Sequence, residues 1–372
     1  MTPRDSAIQI AIFDDVAGGH HPGYVNGIAA GLLRAGLEPR VFTPDEPPAL
    51  QGRGDWIPVV PATVRQIARG RRNLKLAGAA CLRSPTPQFW DLYLDKNIWA
   101  LPGRLQHIDR RVHVLHHSTQ YSFRNRTGFA RLRTVLAKRR LRSLVTSGDL
   151  LVVHTRRAFD LLSGFLPPES ILRCGYPIVE PPSGRIETEP RSNSGRLLFV
   201  GNARREKGLH LLLEALEMSK DEVPLDVVGR QDPATRHRLE TRFNTDRVQW
   251  VDRFVDDLEL AEYYRQALLV VVPYLPSFLA DGGASGVMLE SLAHGTPMVI
   301  TPALTDQLPE AYGGAIVATA DGARALSVAL EKAIDRVEAL QAASRVEGPA
   351  YIREHHTFDL YVKALLGATV ER

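Results

Sequence analysis

Two kinds of apolar pattern alternate along this chain. Short apolar stretches such as "IQIAIF" (8–13), "RVHVLH" (111–116) and "DLLVVH" (149–154) read as strands. Between them, "GYVNGIAAGLLRAGL" (23–37) and "ARLRTVLAKRRLRSLV" (130–145) repeat at helical spacing, and the second sets Leu132, Val135, Leu136, Leu141, Leu144 and Val145 on one side. After "EPPSGRIETEPRSNSGR" (180–196), which has no apolar period, the alternation restarts. "RLLFVG" (196–201), "LDVVG" (225–229), "VQWV" (248–251) and "LLVVVPY" (268–274) predict strands, "LHLLLEALE" (209–217) and the region near "LAEYYRQA" (260–267) predict helices, and from about Ala325 the chain is predominantly helical.

Apolar strands alternating with helices define an α/β protein with doubly wound parallel sheets covered on both faces. Residues 1–180 and 196–352 are expected to form two such Rossmann-like domains, joined by a linker over 181–195. The length of 372 residues agrees with two domains. In such sheets ligands bind at the carboxyl ends of the strands, so a cleft between the domains is expected to hold the site.

Charge separates the halves. Residues 1–180 hold 25 basic and 14 acidic side chains; the remainder holds 21 and 28. The surplus lies in "RQIARGRRNLK" (65–75) and "RNRTGFARLRTVLAKRRLR" (124–142), which predicts an anionic partner for the first half. A basic amphipathic helix fits attraction to anionic lipid or a charged acceptor at least as well as nucleic acid, because aromatic residues beyond Phe129 are missing from it; a solvated helix face is the alternative. No apolar run approaches the ~18 residues of a membrane helix, and "MTPRDS" is not followed by a cleavable leader, so a cytoplasmic location is expected, with peripheral contact at the inner face of the membrane. Cys81 and Cys174 stand far apart and suit a reducing compartment.

Three loops carry candidate chemistry. In "FLADGGASGVMLESLAHGTPMVI" (278–300), five of the six residues from Gly282 to Val287 are glycine, alanine or serine. The stretch lies between a strand ending near Pro273 and a helix with Ser285 as N-cap and Gly295 as its stop. Gly282, Gly283 and Gly286 let a ligand reach backbone N–H groups beside a helix N-terminus, which suits diphosphate or sugar hydroxyls. Glu290, one turn on, would accept hydrogen bonds from vicinal hydroxyls of a ribose; an exposed glutamate after a flexible turn is the alternative. In "LLFVGNARREKGLHLLLEAL" (197–216), Arg204, Arg205 and Lys207 sit in the turn before a helix, an anion clamp or else a solvated charged loop. In "IAIFDDVAGGHHPGYVNGIA" (10–29), Gly18 and Gly19 would let the loop close on a phosphate, and at least one of His20 and His21 is expected at the surface. His116 and His117 end a strand, where a histidine either meets a sugar hydroxyl or caps the strand.

Together these stretches resemble a family 4 glycosyltransferase of the GT-B fold, a group of retaining, nucleotide-sugar-dependent enzymes. The resemblance rests on "GGHHPGYVNGIAAGLLRAGLEPRVFT", "FVGNARREKGLHLLLEAL", "VQWVDRFVDDLELAEYYRQALLVVVPY" and "SGVMLESLAHGTPMVIT" followed by "LPE" (308–310). It implies that Gly18 and Gly19 contact the donor diphosphate, that Arg204 and Lys207 hold the leaving pyrophosphate, and that Glu290 binds the ribose. It also implies that His116, or His117 beside it, lies near the transferred sugar, and that His21, Asp281, Gly282, Gly283, Ser285, Gly286 and Val287 complete the donor site. The last stretch, 353–372, is expected as a helix returning to the first domain. Two positions depart from the family pattern: Gly282 stands where the first glutamate of E-x7-E belongs, with Asp281 displaced by one, and Asn202 stands where many members carry arginine. A serine-glycine version of the loop, as in "GGASGVMLE", occurs in a subset of the family. The resemblance implies hexosyl transfer with retention, with the nucleotide sugar as co-substrate and no cofactor. No D-x-D is present, so metal independence is expected. A non-catalytic protein binding a sugar nucleotide or a partner protein is the alternative, motivated by Gly282 and Asn202.

Overall fold

The structure, a computed structural model, describes residues 10–63, 65–83, 88–101, 105, 108–116, 128–179, 195–202, 204–219, 223–230, 233–242, 247–253, 255–279 and 282–370. His117, Asp281 and the linker residues 181–194 lie outside them. The chain divides into two compact units: Met1–Val179 with Asp281–Ala284 and His356–Arg372, and Glu180–Ala280 with Ser285–His355.

The first unit carries β1 (Ile10–Phe13), α1 (His21–Arg34), β2 (Pro39–Thr43), β3 (Asp55–Pro58), α2 (Ile67–Arg83), β4 (Gln88–Asp91), α3 (Leu94–Asn97), β5 (Arg110–Leu115), α4 (Gly128–Thr146), β6 (Leu150–Val153), α5 (Arg156–Ser163) and β7 (Ile171–Arg173). Its sheet runs β3-β2-β1-β4-β5-β6-β7 with every pairing parallel. Strands β1 and β6 are buried along their whole length, as apolar runs predict for a sheet covered on both sides, and β4, polar at both ends, is buried with them. The crossover from β1 to β2 runs opposite to the steps from β3 through β7, and right-handed crossovers then put α1 on one face and α2 to α5 on the other. The cores follow this division. Leu74, Leu141, Phe13, Phe89 and Leu151 fill one face; Ile28, Ile10, Ile12, Trp90 and Leu365 fill the other.

Helix α4 departs from its predicted face. Leu132, Val135 and Leu136 are exposed, and the side turned to the sheet is Ala137 and Leu141, with Leu144 and Val145 packed partly beneath. These four positions repeat at i, i+4, i+7 and i+8, a narrower stripe than the six-residue one. Small Ala137 admits the helix closely, and Arg140 donates to the carbonyls of Ile98 and Leu101, which fixes this rotation.

A histidine sits buried among the strands. His113 lies between the carboxylates of Asp91 (3.3 Å) and Asp149 (3.0 Å), and Arg111 Nε donates to Asp149 across 2.6 Å. Burial acts to lower the His113 pKa, but the two carboxylates outweigh it and push the value up to about 9.

The second unit carries β8 (Leu197–Val200), α6 (Leu209–Met218), β9 (Leu225–Val228), α7 (Pro233–Arg242), β10 (Val248–Val251), α8 (Asp257–Gln266), β11 (Leu269–Val272), α9 (Pro276–Leu279), α10 (Gly286–Ala293), β12 (Met298–Ile300), β13 (Ala315–Val317), α11 (Ala323–Asp335) and α12 (Val337–His355). Its sheet runs β10-β9-β8-β11-β12-β13, again all parallel. Leu209, Leu212, Leu213 and Leu216 of α6 meet Leu326, Ala329, Leu330 and Ala333 of α11 over one face. On the other, α10 packs on α12, and Ser344 Oγ donates to the Gly295 carbonyl (2.9 Å). Asp256 caps α8 by accepting from Glu259 N (2.8 Å).

The last helix, α13 (Phe358–Val370), belongs to the first unit and packs on α1. Tyr24 Oη donates to Tyr361 Oη (2.7 Å), and Arg34 grips Asp359 through Nε (2.9 Å) and Nη2 (2.6 Å).

Candidate active site

In the second unit β8 and β11 are neighbours, and the chain leaves them toward opposite edges of the sheet, β8 to β9 and β11 to β12. This is the topological switch point of the sheet, where the loops following the two strands splay apart and leave a crevice. Both loops are those singled out by sequence. Leu275 N donates to the Glu206 carbonyl (2.9 Å), which stitches one to the other.

Lys207 closes a single turn, Arg205–Lys207, ahead of α6. Its Nζ stands 5.3 Å from the centroid of the Tyr274 ring. A Cβ on Gly201 would come within 2.8 Å of that nitrogen, so the glycine ending β8 is what lets the ammonium lie along the loop backbone. Arg204 is exposed, and its guanidinium is 3.7 Å from Glu206.

Glu290 is half-buried in the second turn of α10. Its Oε2 accepts from the hydroxyl of buried Tyr264 (2.7 Å), whose ring stacks on His294 at 5.2 Å. Burial pushes the carboxyl up to about 7; the Tyr264 hydrogen bond opposes this, Asp257 adds to it, and Lys207 opposes it again. The Lys207 charge is therefore felt at Glu290, and one crevice holds a cation and a carboxyl that titrates near neutrality. Oε1 takes no hydrogen bond from the described residues.

Ser285 caps α10: its Oγ accepts from Met288 N (3.3 Å), while its own N–H donates to Gln307 Oε1 (2.9 Å). The next amides, of Gly286 and Val287, belong to the first turn, which has no acceptor inside the helix. A Cβ on Gly286 would meet nothing within 4 Å, so the approach to these amides is open. The second unit thus brings together Lys207, Glu290, Ser285, Gly286 and Val287.

Gly282 and Gly283 group with the first unit. Gly282 has φ +76°, its carbonyl accepts from Thr155 Oγ1 (2.7 Å), and a Cβ would come within 2.8 Å of the Ala158 Cβ. A glutamate would fit neither that backbone conformation nor that space, which accounts for the departure from E-x7-E. Asp281, the displaced acid, lies outside the described residues.

The remaining candidates belong to the first unit. Gly18 and Gly19 turn the chain after β1 with φ +83° and +64°, and both are exposed. His20 is exposed and His21 buried, the two rings stacked at 4.5 Å. His21 Nδ1 lies 2.7 Å from Asp14 Oδ2, and Asp14 Oδ1 accepts from Val16 N (3.0 Å). Asp14 thereby positions both the loop and the imidazole, a role the sequence signalled only through the acidic pair preceding the glycines. His116 is buried; its Nε2 donates to the Leu92 carbonyl (2.9 Å) and its backbone N–H to Asp95 Oδ2 (2.8 Å). That is the strand-capping arrangement, with the ring set 5.0 Å from Tyr24 and 5.1 Å from His154. Tyr264 is the other residue that sequence reasoning missed, since its pattern is that of a core aromatic.

Two parallel sheets with flanking helices and a switch-point crevice define an α/β protein of the GT-B fold. Residues 194–336 match the family model Glycosyl transferases group 1. No curated protein sequence matches the chain. Among solved structures, sucrose-phosphate synthase from Thermosynechococcus elongatus is similar at TM-score 0.71 and 19% identity, over 96% of this chain and 97% of that one. HepE from Anabaena, in complex with UDP, is similar at TM-score 0.70 and 13% identity over 98% and 99%. WaaG, a glycosyltransferase involved in lipopolysaccharide biosynthesis, is similar at TM-score 0.68 and 18% identity over 98% and 99%. At these identities the likeness establishes the fold. Among the described residues, no helix is long and apolar enough to cross a membrane.

Proposed function

We propose that the protein is a retaining glycosyltransferase that moves a hexose from a nucleoside diphosphate donor to an acceptor hydroxyl. The observation that carries the proposal is the meeting of the Lys207 loop and the loop leading to Glu290 at the β8/β11 switch point, stitched by Leu275 N and the Glu206 carbonyl, which sets a cation and a carboxyl at one crevice. The ribose hydroxyls donate to Glu290 Oε1, and the diphosphate meets Lys207, the exposed Arg204 and the first-turn amides of α10. As the anomeric bond breaks, negative charge grows on the β-phosphate, and these groups stabilise it in place. The family resemblance supports a step in which the departing phosphate takes the acceptor's proton, with retention and without a metal ion. In the first unit Asp14 orients His21 beside Gly18 and Gly19, the loop that the family resemblance assigns to a donor phosphate. HepE is recorded with UDP and with UDP-glucose, which supports a nucleotide sugar as donor. The basic surplus of the first unit fits an anionic acceptor or surface, and the reaction is assigned to the cytoplasm.

The test is incubation of the full-length protein with UDP-, GDP-, dTDP- and ADP-hexoses in the presence of a chelator, following nucleoside diphosphate release. One donor is expected to be hydrolysed slowly without acceptor, and the product sugar to keep its anomeric configuration by NMR. Binding of a sugar nucleotide with no release at all would instead support a non-catalytic binding protein.

A further inference from the structure

The basic surplus of the first unit lies on a surface of its own. Helices α2 and α4 lie on the same face of the sheet, where Leu74, Ala77 and Cys81 of one share a core with Ala137 and Leu141 of the other. Turned outward, α2 exposes Ile67, Leu76 and Leu82, the last at 60%, and α4 exposes Leu132, Val135 and Leu136, with Val135 at 55%. Neither helix contains an acidic residue: 67–83 holds five Lys and Arg, and 128–146 holds six. Among the described residues no carboxylate pairs with Arg72, Lys75, Arg131 or Arg139. The two helices converge at Trp99, whose carbonyl accepts from Arg71 Nη2 (3.1 Å) and whose ring lies 5.7 Å beneath the Arg133 guanidinium. Beside them a hollow of about 600 Å³ is lined by Ile67, Ala68, Arg71, Arg72 and Lys75.

We infer that α2 and α4 form a platform that docks on an anionic phospholipid surface. Water alone gives no reason to leave six large aliphatic side chains exposed on these two helices, and a polynucleotide would be met by open aromatic rings on which bases stack, whereas the Trp99 ring is half-buried and lies beneath Arg133. A bilayer of anionic lipid answers both features. The aliphatic tips enter the acyl boundary, while Arg and Lys lay their stems along it and reach the phosphates, and the hollow along α2 takes a headgroup between Arg71, Arg72 and Lys75. The inference deepens the anionic-surface assignment and rests on the first unit alone, so it stands or falls separately from sugar transfer.

Co-sedimentation of the full-length protein with vesicles tests it. Vesicles of phosphatidylcholine with about one-third phosphatidylglycerol are expected to bind at least about tenfold more tightly than pure phosphatidylcholine, less so at high salt. Val135→Glu and Leu82→Glu, at exposed positions that should not disturb folding, are each expected to weaken binding by about tenfold while the thermal melt stays unchanged. The double change Arg72→Glu with Lys75→Glu should do the same through charge. Three results would overturn the inference: no vesicle binding, equal binding to neutral vesicles, or poly(U) displacing the protein from them. So would an undiminished affinity in Val135→Glu and Leu82→Glu, because a carboxylate on the docking face opposes both apolar insertion and attraction to anionic lipid.

Discussion

Tyr264 donates its phenolic hydrogen to Glu290 Oε2 across 2.7 Å, and this bond holds a half-buried carboxyl in place without fully offsetting the burial that raises its pKa to about 7. The residue assigned to the ribose therefore changes charge within the physiological range. Sugar hydroxyls donate, so the ionised form is the one that binds. Affinity for a nucleoside diphosphate should rise through pH 7, by up to about tenfold between pH 6 and 8. The phosphate's own titration is common to every variant. Calorimetry on the wild type and Glu290→Gln isolates the protein's part, with the excess pH dependence expected only in the wild type.

The same shift acts on the free protein. A carboxyl whose folded pKa lies above its unfolded value of about 4.5 costs stability as pH rises from that value through 7. Glu290→Gln should therefore melt at a higher temperature than the wild type at pH 8, and lose that advantage near pH 4. A lower melting temperature at pH 8 would contradict the assigned burial. A binding residue that destabilises the free fold is the trade-off expected at a functional site.

Lys207 sets the second prediction about chemistry. Its ammonium lies along Gly201 and over Tyr274, in the loop proposed to meet the diphosphate. Removing one fixed cation from a developing phosphate charge costs on the order of 10²-fold in rate. Lys207→Ala should lose about that in kcat, with a smaller change in the KM for donor. A loss confined to KM would assign the lysine to ground-state binding alone.

Fold class was legible because both sheets are parallel: every predicted strand is a short, mainly apolar run, and such runs need no partner to be recognised. Strands β2, β3 and β4 escaped because "PRVFT", "DWIP" and "QFWD" are short and mixed in polarity, and β7, β12 and β13 because three residues are too few to show a pattern. In α4 periodicity found the helix and misjudged its rotation, because apolar spacing cannot tell a residue that packs on a sheet from one meant for another surface. Loops were legible where glycine or charge marks them, as at Lys207 and Gly282. The chemistry was hidden where a side chain acts through tertiary contact: Tyr264 reaches Glu290 from 26 residues away, and Asp14 reaches His21 across the glycine turn.

His113 supplies a prediction about the first unit by itself. Its pKa is raised from about 6.5 to about 9 by Asp91 and Asp149, so the stabilisation is complete below 6.5 and is lost as pH rises through 9. The loss should amount to no more than about 3 kcal/mol. Chemical denaturation of the wild type and His113→Gln from pH 6 to 9.5 checks it: the variant should be less stable at pH 6, and the gap should narrow toward pH 9.5.

The account stands most directly on one calorimetric comparison at pH 8, in which the wild type, Lys207→Ala and Glu290→Gln are each titrated with a nucleoside diphosphate and with the matching nucleoside. If one ligand spans the crevice, Lys207→Ala weakens the diphosphate and leaves the nucleoside unchanged, whereas Glu290→Gln weakens both by the same factor. Equal losses for both ligands in Lys207→Ala, or no binding of UDP, GDP, dTDP or ADP by the wild type, would contradict it.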